Sequence, residues 1–295
     1  MSRHLLTIDG HTVAAELHLT ADPRPPVVFF HGIMTSIDLT AEIFLDAETE
    51  SWIAVSLPGH HPGRLPPGCS PAAIDAALFA HLHESALEQL IGPRQVIAAG
   101  WSTGGFAALN LAIRHPRRVA AVASLAGFAS GGRIAGLMGW LIWLAGLPAG
   151  RIAPATGLRA AAAWPVAYRE LLGLLAADGV AAAWVPRDTV ARMHAAFARL
   201  DPASLATALA ALDGLDITDQ LHAVRVPAWV AGGGADPVVP RAETERIAGG
   251  IPGATLRIYE LAGHLFFSEW PRMREEFAAW RRGLALTLSE GASDA

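Results

Sequence analysis

Six short apolar runs divide the chain: PVVFFHG (26–32), WIAVSLPG (52–59), QVIAAG (95–100), VAAVASLAG (119–127), VPAWVAGGG (226–234) and TLRIYE (255–260). Nearly all of them end at a glycine or a turn, and such runs suit strands buried on both faces. Helical spacing fills several of the gaps. The clearest case is SPAAIDAALFAHLHESALEQLI (70–91), in which Ser70 is the expected N-cap and Pro71 the first helical residue. The N-terminal MSRHLLTIDGHTVAAELHL instead alternates apolar and polar positions, as an antiparallel strand pair does. Strands alternating with helices predict an α/β fold with a mostly parallel central sheet flanked by helices.

The alternation breaks once. Between about Phe128 and Leu200 the chain becomes rich in alanine and tryptophan at helical spacing, with no strand pattern. This segment is expected to be an inserted α-helical cap, residues 128–205, on a core domain made of residues 1–127 and 206–295. It holds Trp140, Trp143, Trp164 and Trp184 together with Met138, Met193, Tyr168 and Phe197. A cap over a cleft turns some of its apolar side chains toward a ligand.

Composition narrows the function classes. With 295 residues, 52% hydrophobic and 17% charged, the chain can bury one large core. A net charge of -5 without a basic run argues against nucleic acid as a partner. All 22 basic residues are arginine, so neither a Schiff-base lysine nor a P-loop lysine is available. Cys69 is the single cysteine and has no partner for a disulfide or a metal site. The uncharged run IAGLMGWLIWLAGLPAG (134–150) is shorter than the ~20 residues of a spanning helix and contains Pro148. It reads as a buried or interfacial helix without stable membrane insertion, and its lesser alternatives are a lipid-docking or dimer face. The N-terminal pattern has no apolar signal core, which points to a cytoplasmic protein.

The candidate chemistry centres on GWSTG (100–104), which follows the strand run 95–100 and precedes the helical FAALNLAIRH. A sharp strand-to-helix turn needs small residues around its apex, because neighbouring Cβ atoms would collide. Ser102 would stand exposed at that apex. A serine hydroxyl becomes a nucleophile only when an imidazole takes its proton, and the imidazole needs a carboxylate to fix its tautomer. Asp236, just past the run 226–234, and His264, in the glycine turn after TLRIYE, supply the two. The oxyanion hole requires two backbone N-H groups, expected from Ile33 in FFHGIMTS and from Thr103.

These four motifs, in the order Ser102, Asp236, His264 with HGIM upstream, resemble the α/β-hydrolase superfamily over nearly the whole chain. GWSTGG followed by RHPRRVAAVASLAG is similar to pimeloyl-acyl-carrier-protein methyl ester esterases, and also to carboxylesterases and cofactor-free perhydrolases. The resemblance implies the α/β-hydrolase fold and a serine hydrolase with Ser102, Asp236 and His264 as catalytic residues and no cofactor or metal. Serine at the elbow separates the chain from haloalkane dehalogenases and epoxide hydrolases, which carry aspartate there. One motif departs: where relatives show D-x-P-G-x-G, this chain has SLPGHHPGR (56–64), with Ser56 and His61 replacing aspartate and glycine. His60 and His61 lack a nearby third ligand, and the expectation is a surface or cleft-rim loop. His31, in H-G-x, is expected to shape the oxyanion loop.

Substrate contacts are expected from Met34, Trp101, Met138, Trp140, Trp143 and Leu265, giving a small-molecule substrate with an apolar acyl or ring portion. From Ala129 to Leu200 seven arginines face three acids, a charge of about +4 that either steers a carboxylate or a carrier-protein-bound acyl group, or merely solvates a helix face. An ester, lactone or thioester hydrolase is the leading expectation. Carbon-carbon bond hydrolysis, perhydrolysis, acyl transfer or cyclisation on the same residues, and a non-catalytic ligand receptor, are its alternatives.

Overall fold

The computed structural model describes residues 1–22, 24–39, 50–147, 150–176 and 188–284. One eight-stranded sheet runs through the molecule in the order β1-β2-β4-β3-β5-β6-β7-β8. Its members are β1 (Ser2–Ile8), β2 (His11–His18), β3 (Val27–Phe30), β4 (Trp52–Val55), β5 (Val96–Trp101), β6 (Val119–Leu125), β7 (Ala228–Gly233) and β8 (Thr255–Tyr259). The first two pair antiparallel, as the alternating N-terminal pattern predicts, and β3 through β8 are joined by parallel pairs.

Five of the six apolar runs feed two cores because strand side chains alternate between faces, whereas β8 is partly exposed and gives only Tyr259 to one of them. Val28 and Phe30 of β3 join Ile53, Ala98, Val122 and Val230 on one side, while Val27 and Phe29 join Trp52, Ile97, Ala121 and Trp229 on the other. The first side is covered by α1 (Ala76–Ile91) and α2 (Thr103–Arg114), with α8 (Arg241–Gly250) adding Ile247. The second side is covered by α9 (Trp270–Gly283), whose Met273 and Phe277 are fully buried. Phe277 stacks on Trp229 with ring centroids 5.3 Å apart. Full burial of one such ring is worth about 1.5–3 kcal/mol.

The helix expected from Ser70 starts later. Ser70 and Pro71 open only a short 3₁₀ turn, Pro71–Ala73, and α1 begins at Ala76, where the Asp75 carboxylate accepts from the Leu78 N-H at 2.8 Å. The side-chain cap decides the start, because Asp75 satisfies an N-H that the first helical turn otherwise leaves free.

Between β6 and β7 lie α3 (Gly136–Gly146), α4 (Ile152–Ala163), α5 (Pro165–Ala176), α6 (Thr189–Phe197) and α7 (Pro202–Leu212). No strand occurs there among the described residues. A boundary at residue 205 falls inside α7, whose Asp201 cap and continuous buried stretch Leu205–Leu212 make it one element. Helix α3 buries Met138, Ile142 and Ala145, one face at helical spacing. No helix among the described residues is long and apolar enough to cross a membrane.

Candidate active site

Ser102 stands between β5 and α2 with φ 56° and ψ −120°, a left-handed conformation rare for a residue with a Cβ. Such backbone costs on the order of 1–3 kcal/mol and persists only where its surroundings enforce it. Here the Ser102 N-H donates to the Leu125 carbonyl at 2.8 Å. The glycines on either side are sterically required. A Cβ on Gly104 would run into the Phe30 carbonyl, and one on Gly100 into the Gly104 carbonyl. The turn is therefore sharp, and it sets Ser102 at the C-terminal edge of the parallel strands.

Asp236 and His264 reach the same edge from the loops after β7 and β8. The Ser102 hydroxyl donates to His264 Nε2 at 3.0 Å, and His264 Nδ1 donates to Asp236 Oδ2 at 2.8 Å. The other carboxylate oxygen, Oδ1, accepts from the N-H groups of Val238 at 2.7 Å and Val239 at 2.9 Å. With both oxygens engaged, the carboxylate is fixed in place and can serve His264 only as an acceptor. That puts the imidazole proton on Nδ1 and leaves the Nε2 lone pair facing the serine. All three side chains are buried. The arrangement can move a proton from Ser102 to His264 and stabilise the resulting cation.

Ile33 and Thr103, expected to supply the oxyanion donors, both border the same cavity as Ser102. The loop that carries Ile33 is held from below. His31 donates Nδ1-H to the Gly32 carbonyl at 2.8 Å and accepts from the Leu57 N-H at 3.2 Å. His60 corrects the reading of SLPGHHPGR as a surface or rim loop. It is buried, its ring nitrogens face the carbonyls of Pro58, at 3.0 Å, and Ile33, and its ring lies 5.1 Å from that of His31. Burial pushes both histidines below the ordinary imidazole range. Ser56, in place of the aspartate, accepts from the Ala14 N-H at 2.9 Å and ties the loop to β2.

Ser102 and His264 form the floor of a cleft of about 580 Å³, counting its space open to solvent. Four of the six residues expected to contact substrate line it: Met34, Trp101, Met138 and Leu265. Trp140 and Trp143 do not. They are 53% and 59% exposed, on the face of α3 opposite Met138, Ile142 and Ala145, and contribute nothing to the cavity wall. Trp164 is likewise exposed, and Trp184 lies outside the described residues. The wall has members that the sequence did not single out as substrate contacts: Tyr168, Leu171, Leu172 and Leu175 of α5, with Met193 of α6 and Ile134, Leu212 and Val238. The spacing of 168, 171, 172 and 175 is one helical stripe, a signal present in the sequence but shared by any helix packed on a core.

The geometry agrees with what the chain is similar to. A family model described as alpha/beta hydrolase fold matches residues 25–271. Pimeloyl-[acyl-carrier protein] methyl ester esterases are 30% identical over 223 residues in Neisseria meningitidis, 72% of this chain and 76% of that protein. The enzyme of the same name in Aromatoleum aromaticum is 32% identical over 193 residues, 61% of this chain and 70% of that protein. Among solved structures, the enol-lactonase from Burkholderia xenovorans LB400 superposes with a TM-score of 0.71 at 18% identity, covering 95% of this chain and all of that one. An esterase from Rhodococcus sp. ECU1013 does so with a TM-score of 0.72 at 19% identity, covering 96% and 100%. The protein is a member of the alpha/beta hydrolase fold family.

Proposed function

We propose that the chain is a serine hydrolase that cleaves an ester, lactone or thioester with an apolar acyl portion through an acyl-enzyme. The observation that carries this reading is the hydrogen-bonded series Ser102, His264, Asp236 on the floor of an apolar cleft. His264 takes the Ser102 proton as Oγ attacks the acyl carbon. The Ile33 and Thr103 N-H groups hold the oxyanion, each worth about 10²–10³ in rate. His264 then protonates the leaving alcohol or thiol, and water, deprotonated by the same imidazole, releases the acid. Asp236 orients the imidazole throughout. The helices between β6 and β7, α7 included, act as the cap. The esterases named above support an acyl group on a carrier protein as one form of substrate. The cytoplasmic setting expected from the sequence belongs to the same reading.

The test is intact-mass analysis after treatment with a fluorophosphonate probe, on the wild type and Ser102→Ala, beside p-nitrophenyl esters from acetate to dodecanoate. One adduct on the wild type, none on the variant, and Ser102-dependent turnover with a chain-length optimum are expected. Labelling without turnover of any ester would transfer the reading to a specialised acyl chemistry on the same residues. Absence of labelling would leave a receptor pocket.

A further inference from the structure

The cleft is apolar with a small number of polar side chains, and most of those are already engaged. Thr35 donates its hydroxyl to the Gly32 carbonyl at 3.2 Å, and Ser102 and His264 are committed to each other at 3.0 Å. Thr103 Oγ1, beside Ser102, is buried without a partner among the described residues. Tyr168, on α5, lines the cavity from the other side at 3% exposure, and among the described residues nothing donates to or accepts from its hydroxyl. Its ring is held in place by packing on His194, with centroids 5.1 Å apart, and on Phe197, at 5.0 Å. His194 is pinned in turn, its Nε2 lying 3.1 Å from the carbonyls of both Ala161 and Ala162. Burial pushes the phenol pKa up, so the hydroxyl stays protonated and able to donate.

The hydroxyl opens on the cleft, where a ligand oxygen that displaces water can accept from it, a contact that phenylalanine in the same place could not offer. The fixed ring and the unused donor therefore fit a bound partner. We infer that Tyr168 is a specificity determinant whose hydroxyl pairs with a neutral polar atom, a keto, ether or hydroxyl oxygen, carried on the otherwise apolar acyl portion of the substrate. The polar atom is carried on the acyl portion because Tyr168 shares its stretch of the cavity wall with the apolar side chains of α5. It is neutral because no arginine and no acid lines the cleft among the described residues, so a carboxylate beside Tyr168 would lose its hydration without gaining a counter-charge. Leu171, Leu172 and Leu175 on the same helix, with Met138 and Met193, take the apolar remainder. This inference rests on the hydrolase reading above.

The experiment compares p-nitrophenyl esters of straight-chain acids from butanoate to decanoate with the same acids carrying one keto group at each successive position, and with the ω-carboxylate half-esters. The reading is the ratio of kcat/KM between each keto ester and its parent, taken in the wild type and in Tyr168→Phe. In the wild type one keto position is expected to exceed its parent by about tenfold, the size of one net hydrogen bond. In Tyr168→Phe that ratio falls to about one whatever the absolute rates, and the half-esters are poor substrates for both proteins. The inference is overturned if no keto position is preferred, if the preference survives in Tyr168→Phe, or if the half-esters are favoured. Absence of Ser102-dependent turnover of the plain alkanoates would instead sink the hydrolase reading itself, so the two failures are distinguishable.

Discussion

Trp101 donates its indole N-H to the backbone carbonyl of His264 at 3.0 Å, across 163 positions of sequence. The residue before Ser102 thus ties down the loop that carries His264. The two rings lie 5.4 Å apart, and the Trp101 ring also fills the space where a Cβ on Gly32 would sit, 2.7 Å from its Cζ3. One side chain therefore touches the loops bearing Ser102, His264 and Ile33 at once. The distance between Ser102 and His264 is set partly by Trp101 and not by the two residues alone.

Trp101→Phe keeps an aromatic body and removes the donor. The loop after β8 loses its tie to the elbow, and kcat is expected to fall about tenfold, with a smaller change in KM, since misplacing a catalytic group lowers rate more than ground-state binding. Steady-state kinetics on a turned-over p-nitrophenyl ester checks it, and an unchanged kcat would show that the hydrogen bond has no positioning role.

Asp236→Asn retains the shape and the acceptor that receives the Val238 and Val239 N-H groups. Its amide presents N-H to His264 Nδ1, which forces the imidazole proton onto Nε2, where it can no longer accept from Ser102. A loss of about 10⁴ in kcat is expected with little change in melting temperature. Burst kinetics and calorimetry together would separate this from unfolding.

Gly104→Ala places a methyl group against the Phe30 carbonyl, backbone that cannot swing aside. Strand β3 or the elbow must shift, and destabilisation of about 3 kcal/mol or more is expected, with loss of activity in any protein that still folds. The urea midpoint is the measurement. Ala at Gly249, where a Cβ meets nothing within 4 Å, is the matched control and should be tolerated.

Stability is expected to fall as pH drops below about 6.5. His83 is fully buried against Phe30 and Phe79, and burial lowers its pKa to about 3 from the ordinary 6.5. The unfolded chain takes up a proton near pH 6.5 and the folded one does not until about pH 3. Its contribution is thus complete above pH 6.5 and is lost through the interval between the two values, at about 1.4 kcal/mol per pH unit. His31 and His60, shifted in the same direction, add to the slope. Chemical denaturation at pH 7, 6 and 5 measures it. His83→Phe should flatten the dependence and, because neither nitrogen of His83 makes a hydrogen bond of normal geometry, should not weaken the protein at pH 7.

The sequence alone determined the sheet and singled out the residues proposed to react, because both are written in local chemistry. Apolar runs of about four to eight residues bounded by glycine are too short for a stable helix and suit buried strands, and a serine between small residues after such a run fits the sharp turn that GWSTG forms. Tertiary packing decided what surrounds them. Helix α3 is apolar all round, so its sequence carries no phase, and only its contacts could choose Met138 for the cavity side while turning Trp140 and Trp143 outward. His60 was equally silent, because an imidazole suits a rim loop or a buried seat between two carbonyls, and the course of the chain under Ile33 made the choice. Tyr168 lay in a stripe that reads as ordinary core until α5 is set over Ser102. A pattern along the chain states which side chains must leave water, but the space that receives them exists only once distant elements meet.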